Sequence, residues 1–354
     1  MLPISVCIIC KNEEQNLERF FTALRKYDWE LIFVDTGSTD CSRDIALKYT
    51  DKVFDFPWSN DFSAARNYSI SQASNDMILI LDCDEFLLDV DIQQVLLLME
   101  QHPEEIGCIQ LQNHTNINGT DTIVYHSLNR FFNRKIYHYT GAVHEQTTRI
   151  DRNPVPPFYQ LPLTVDHQGY NLSLKDKVRK SKRDRDILLE ELKKNPQNAY
   201  LLFQIGKTYD FQNDSNKALT YYVKAISSPN FNPEEEYTIH LLLAYGNCLL
   251  DTGHYEAALS MIDVESILST YADYYCLLGR IYYSNKQPLQ AMMAFIKALA
   301  CEKEIVEGSR YNIPHYNIGF LNEQLGDINN AITQYQLCVN FPMASKRLEE
   351  LNIN

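Results

Sequence analysis

No stretch of this chain carries the roughly 20 consecutive apolar residues that a membrane-spanning helix needs. A basic surplus is missing too: 32 lysines and arginines stand against 46 aspartates and glutamates, a net charge of −14. That balance argues against a nucleic-acid or anionic-membrane binder, which needs a basic face. The glycine motifs that cradle phosphate are also absent. The loop after the first apolar run reads KNEEQN rather than GxGxxG, and neither GxxxxGKS nor GxxxxGKT occurs, which excludes a dinucleotide cradle and a P-loop. The start, MLPISVC, has no basic n-region, so a cytoplasmic protein is expected.

Cysteine is not scarce, with nine residues, yet no framework follows from them. Cys7 and Cys10 form a CxxC inside ISVCIIC, which reads as a strand. Residues three apart in a strand point to opposite faces, so the two thiols do not share a metal. Reduced, buried thiols are expected throughout. At 354 residues, 45% hydrophobic and 22% charged, the chain has room for two or three ordinary globular domains.

What is present begins with MILILDCDEF at residues 77–86, an apolar run ending in three carboxylates. Met77 to Leu81 reads as a buried strand. Its end has no use for Asp82, Asp84 and Glu85 unless water, a cation or a substrate meets them. In open α/β sheets ligands sit beyond the carboxyl ends of the strands. Asp82 and Asp84 alternate with Cys83, so both can point at one site and share a hard divalent cation. Taken alone, the plainer reading is a solvated turn.

The surrounding pattern favours a sheet. ISVCIIC (4–10), LIFVD (31–35), VFDF and MILILD (77–82) are separated by helical stretches, one with Leu17, Phe20, Phe21 and Leu24 at helix spacing. This β-α-β-α-β-α-β order predicts a parallel sheet with helices on both faces. From 106 to 168 the pattern turns to strands, with Asn118-Gly119 as a hairpin signal and Asn153 to Pro162 as a Pro-rich loop. The end of LIFVD offers Asp35, either to a base N–H or ribose hydroxyl or as a cap in the Asp35–Asp40 turn. Arg130 and Arg134, flanking Phe131 and Phe132, are placed to reach phosphate, though a solvated strand edge is the plainer reading, and the basic run at 174–186, interspersed with aspartates, reads as a solvated connecting helix.

From Leu172 the pattern is helical and repeats itself. Gly206, Gly246, Gly279 and Gly319 are each followed twelve residues later by Ala218, Ala258, Ala291 and Ala331. Pro229 and Pro342 close two units. Small residues at these places let two antiparallel helices approach closely, while large ones fill the gaps between pairs. The spacing resembles the tetratricopeptide repeat, with about four units and short insertions. Such arrays bind peptides or another subunit, or serve as a rigid cap.

ISVCIICKNEE, FVDTGSTD, DFSAARN and LDCDEF, in this order, resemble the start of family 2 glycosyltransferases, which have the GT-A fold. GAVHEQ and DHQGY followed by helical repeats are similar to a bacterial subgroup whose members include peptide and bacteriocin glycosyltransferases. The resemblance implies an α/β GT-A domain over residues 1–170, a connecting helix over 171–196 and a tetratricopeptide domain over 197–354. It implies a UDP-sugar contacted by Cys10, Lys11, Asn12, Asp35, Arg66, Asn67, Asp82 and Cys83. Mn²⁺ or Mg²⁺ would be held by Asp82 and Asp84, with His167 as a third ligand, as a phosphate contact or as a structural residue. Glu145, then His144, would serve as the base in an inverting transfer. The acceptor implied is a peptide, protein or glycan, with a homodimer through the repeats. Two other expectations stand beside this one: a non-catalytic scaffold that binds the nucleotide sugar, and a transferase for a cell-surface glycan.

Overall fold

The computed structural model describes residues 2–117, 120–153, 156–167 and 174–351. The expected Asn118-Gly119 turn, Pro154 and Val155 of the Pro-rich segment, and Gln168 to Tyr170 of DHQGY lie outside them. The chain divides into two compact units, Met1–Ile187 and Leu188–Asn354.

The first unit alternates strands and helices: β1 (Ile4–Cys10), α1 (Glu14–Leu24), β2 (Glu30–Asp35), α2 (Ser42–Ala46), β3 (Val53–Asp55), α3 (Phe62–Ser71) and β4 (Met77–Ile80). There follow β5 (Glu85–Val90), α4 (Ile92–Gln101), β6 (Gly107–Ile117), β7 (Thr120–Asn133), β8 (Tyr137–Thr140), β9 (Gln146–Arg149) and β10 (Tyr159–His167). The main sheet runs β3-β2-β1-β4-β7-β6-β10-β5, while β8 and β9 form a separate hairpin. The four N-terminal strands pair in parallel, as their sequence pattern predicts. β7 then joins antiparallel to β4.

Both faces of this sheet are buried, and β1 shows why. Ile4, Val6, Ile8 and Cys10 pack with Leu17, Phe20, Phe21 and Leu24 of α1. Cys7 faces the other way, into a cluster with Ile70, Ile78, Ile80 and Phe132. The two thiols of the CxxC thus lie on opposite faces, and all nine cysteines are free.

The Pro-rich segment is not wholly a loop. Tyr159 to Pro162 already belong to β10, with Tyr159 and Leu161 buried. Pro162 has no N–H to donate, and it sits where the β10–β6 register shifts between Gln160 and Thr164, so the sheet loses little by its presence. A long helix, α5 (Leu174–Lys194), follows the sheet.

The second unit is a stack of helices. Its pairs are α6 (Ala199–Phe211) with α7 (Ser215–Ile226), and α8 (Glu236–Asp251) with the short α9 (Tyr255–Ala258). After a 3₁₀ turn and α10 (Glu265–Leu268) come α11 (Ala272–Ser284) with α12 (Pro288–Leu299), α13 (Asn312–Gln324) with α14 (Ile328–Leu337), and α15 (Pro342–Glu350). The repeated glycines have a steric cause. A Cβ on Gly206 would stand 2.4 Å from the Tyr222 ring, one on Gly279 2.5 Å from Phe295, and one on Gly319 2.8 Å from Tyr335. The partner alanines Ala218, Ala258, Ala291 and Ala331 are fully buried. The second repeat departs from the pattern: its second helix is broken, and a Cβ on Gly246 would meet Leu277 of the next pair at 2.6 Å and Met261 of its own repeat at 3.3 Å.

Candidate active site

The site forms beyond the carboxyl end of β4, where Leu81 to Glu85 leave one strand and enter another. The turn closes on itself. Glu85 N–H donates to the Asp82 carbonyl at 3.0 Å, and the Glu85 carboxylate accepts the Asp82 N–H at 2.9 Å. Glu85 is almost fully buried, and burial pushes its carboxyl up to about 7, against the opposing charge of Arg130.

Asp82 is held by two guanidinium groups. Arg66 Nη2 donates to both its oxygens, at 2.9 and 3.3 Å, and Arg130 Nη2 donates to Oδ2 at 2.9 Å. Burial by itself would raise this carboxyl, but Arg66 and Arg130 outweigh it and hold Asp82 well below the usual carboxylate range. Arg130 also reaches Glu85 Oε1 at 3.3 Å. The expectation of a solvated strand edge is therefore wrong for Arg130, whose side chain is 14% exposed. Alternation along β7 gave no hint of this, because its partners are 45 and 48 residues away in sequence. Arg134 donates to the carbonyls of Ile70 and Ala73 and pairs with Asp76, which ties β7 to the end of α3.

Arg66 lies within α3, whose first turn is capped by Asp61 accepting the Ala64 N–H. Its Nε donates to Glu145 at 2.6 Å, so one guanidinium joins Glu145 to Asp82. Arg66 Nη1 and the Tyr139 hydroxyl are buried with no hydrogen-bond partner among the described residues. Asn67, expected beside the nucleotide, is taken up elsewhere: its amide donates to the Tyr139 carbonyl and accepts the Tyr139 N–H, both at 2.9 Å. It fastens α3 to β8. The Phe62 N–H donates to the Ala142 carbonyl at 2.8 Å, which anchors the turn between β8 and β9 that carries His144 and Glu145. His144 is exposed and left-handed at φ 54°.

Asp84 points away from the arginines. Its Oδ2 lies 3.3 Å from His167 Nε2, and the other ring nitrogen meets Asn113 Oδ1 at 2.7 Å. With Nδ1–H donated to the Asn113 amide oxygen, a hydrogen bond from Nε2 to Asp84 needs the doubly protonated ring, whereas a cation at Nε2 would take the neutral one. Burial works against the imidazolium, yet the hydrogen bond and charge of Asp84 prevail and raise the histidine's pKa.

Among the described residues no three ligating side chains converge on one point. Asp82, engaged by two arginines, does not complete a triad with Asp84 and His167. One carboxylate and one imidazole would suit a borderline divalent cation of the Mn²⁺ type, whose remaining positions water and substrate phosphate would fill; Mg²⁺, which prefers oxygen ligands, would rest mainly on Asp84. Cys10 and Cys83 turn their side chains into the core, where the Cys83 thiol reaches the Ile9 carbonyl. Asn12 and Asp35 knit two loops together. Asp35 accepts from the Ser38 N–H and hydroxyl at 3.0 and 2.6 Å, and Asn12 accepts the Thr39 N–H at 2.7 Å. These loops, with exposed Lys11, line the same carboxyl edge as Asp82 and Asp84.

Comparison with known proteins agrees with this arrangement. Residues 5–153 match the family glycosyl transferase family 2, and residues 199–231, 272–301 and 314–341 match the tetratricopeptide repeat. The irregular second repeat, α8 to α10, falls outside the three matched stretches. A TPR repeat-containing protein of Synechococcus elongatus is 28% identical over 69% of this chain and 62% of its own length. The SPbeta prophage-derived glycosyltransferase SunS of Bacillus subtilis is 26% identical over 74% of this chain and 62% of its own. The chain thus spans somewhat less than two thirds of these relatives. Among solved structures, that of MamA matches 51% of this chain and 98% of its own, at 20% identity and a TM-score of 0.40. No described helix is long and apolar enough to cross a membrane. Residues 5–153 are a glycosyl transferase family 2 domain, and the helical unit that follows carries tetratricopeptide repeats.

Proposed function

We propose that this chain is a metal-dependent, inverting glycosyltransferase that moves a sugar from a nucleotide sugar, a UDP-sugar, to a peptide or protein side chain brought to it by the repeats. The observation that carries this reading is the pairing of Asp84 with His167 beside an Asp82 that Arg66 links to Glu145. Sugar transfer builds negative charge on the departing diphosphate and positive character at the sugar carbon. Mn²⁺ or Mg²⁺ held by Asp84 and His167 would neutralise the diphosphate charge, an effect worth several kcal/mol. Asp82, kept ionised by its arginines, faces the developing positive charge or the ribose. Glu145, on the turn between β8 and β9, takes the acceptor's proton, and exposed His144 is the second choice. The loops of Asn12 and Asp35 make the nucleotide side of the pocket. The repeats supply the acceptor because arrays of this kind present extended surfaces for peptide binding.

The test is UDP-sugar turnover by the full chain with EDTA, then with Mn²⁺ or Mg²⁺ restored, beside Asp84→Ala. Metal-dependent turnover lost in the variant supports the reading. A wild type that neither binds a UDP-sugar with metal nor differs from Asp84→Ala leaves a scaffold in its place.

A further inference from the structure

We infer that Arg130 is a positioning residue that sets the direction of Asp84, and with it the Asp84–His167 pair, without touching the donor. The inference rests on the metal-dependent reading above. Asp84 sits inside a turn whose two ends, Asp82 and Glu85, are both fastened by one nitrogen of Arg130, at 2.9 and 3.3 Å. Glu85 closes the same turn by accepting the Asp82 N–H. β7 pairs with β4 through Leu79 and Phe131, so the next residue along β7, Arg130, reaches the point where β4 gives way to the turn. On the other side, His167 stands opposite Glu85 in the β10–β5 ladder and opposite Asn113 in the β10–β6 ladder. The position of Glu85 therefore governs the gap between Asp84 and His167. Arg130 holds Glu85 from one strand while the ladder holds His167 from another.

Charge and position predict opposite results when Arg130 is removed. A guanidinium near a cation site repels the cation, so loss of its charge alone would tighten metal binding. Loss of its grip on the turn would weaken binding. Partners of metal ligands change affinity by about 10–100-fold when mutated.

The experiment is Mn²⁺ binding to the full chain in the presence of UDP, read from loss of the aquo-Mn²⁺ electron paramagnetic resonance signal. Arg130→Met is expected to weaken Mn²⁺ binding by about 10-fold or more, and Arg130→Lys, which keeps charge but not the fork, to weaken it as well. Because Arg130→Met leaves Asp82 and Glu85 facing each other, the double variant Arg130→Met/Glu85→Gln is measured beside it, with a thermal melt to establish folding. The double variant should fold and still bind Mn²⁺ weakly. Variants that bind Mn²⁺ as tightly as wild type, or more tightly, overturn the positioning role and leave the proposed function standing. A wild type that binds no Mn²⁺ overturns both.

Discussion

Arg66 Nε donates to Glu145 at 2.6 Å across 79 residues of sequence, while Nη2 of the same guanidinium grips Asp82. With its side chain 6% exposed, this arginine is a buried cation shared between two carboxylates. Removing one member of such a group costs about 3–5 kcal/mol, because the remaining charges are left uncompensated. Arg66→Ala is therefore expected to lower the urea midpoint of the first unit strongly. Trp29 and Trp58, the protein's two tryptophans, both lie in that unit, so their fluorescence follows its unfolding. A midpoint within error of wild type would contradict the shared-cation description.

Glu145→Gln keeps the shape of the side chain and a hydrogen-bond acceptor for Arg66, but removes the proton-accepting carboxylate. With a hydroxyl acceptor, kcat is expected to fall about 10²–10⁴-fold with donor binding unchanged. His144→Ala should have the smaller effect. Equal or reversed losses in the two variants would move the base to His144. A thiol acceptor, with a pKa near 8.5, should be less sensitive to either change.

Gly206→Ala places a methyl group 2.4 Å from the Tyr222 ring, which is itself fully buried. Overpacking of this kind costs about 1–3 kcal/mol. The expected result is a lower thermal midpoint for the helical unit, seen by circular dichroism, with the tryptophan-monitored transition unchanged. Gly206→Ala combined with Tyr222→Leu should recover part of the loss.

At the other end of β2, Glu30 is buried against Ser5, Lys52 and the Ser74 N–H. Burial by itself would raise its carboxyl, but hydrogen bonds from Lys52, Ser5 and Ser74 outweigh it and hold the value at about 2, against 4.5 for an ordinary glutamate. A folded pKa below the unfolded one gives stability that is complete above about 4.5 and lost as the pH falls toward 2. Urea midpoints between pH 6 and pH 3 should therefore fall less steeply in Glu30→Gln than in wild type. The variant starts lower at pH 6, by about 1–3 kcal/mol, for its unmatched buried partners. Parallel slopes would show that Glu30 is not the group responsible.

The parts of the fold set by local pattern were legible in the sequence. Ile4, Val6, Ile8 and Cys10 alternate with Cys7 across β1, and the glycine–alanine spacing marks the helix pairs. The carboxylate turn at Asp82–Glu85 stood out because three carboxylates end a wholly apolar strand, although that pattern alone did not separate a ligand site from a solvated turn. What escaped notice depends on strands that meet only in three dimensions. Arg130 looked like an edge residue until β7 paired beside β4. Asn67 has a side chain suited to a ligand, yet the backbone of Tyr139, 72 residues away, occupies it, a partner that spacing cannot identify. Asp35 accepts from Ser38 inside the Asp35–Asp40 turn, the capping alternative that its sequence offered. The break in the second repeat was equally hidden, since Gly246 and Ala258 keep their distance although the helix between them and the next pair does not persist.

That break has a consequence for how the helical array can be cut. Gly206, Gly279 and Gly319 each find their cover inside their own pair, while Gly246 meets Leu277, one pair downstream, more closely than Met261 of its own repeat. A chain ending at Leu268 would strip Leu277 from α8 and leave Met261 as its cover, so a cut there is expected to weaken the second pair as well as remove the third.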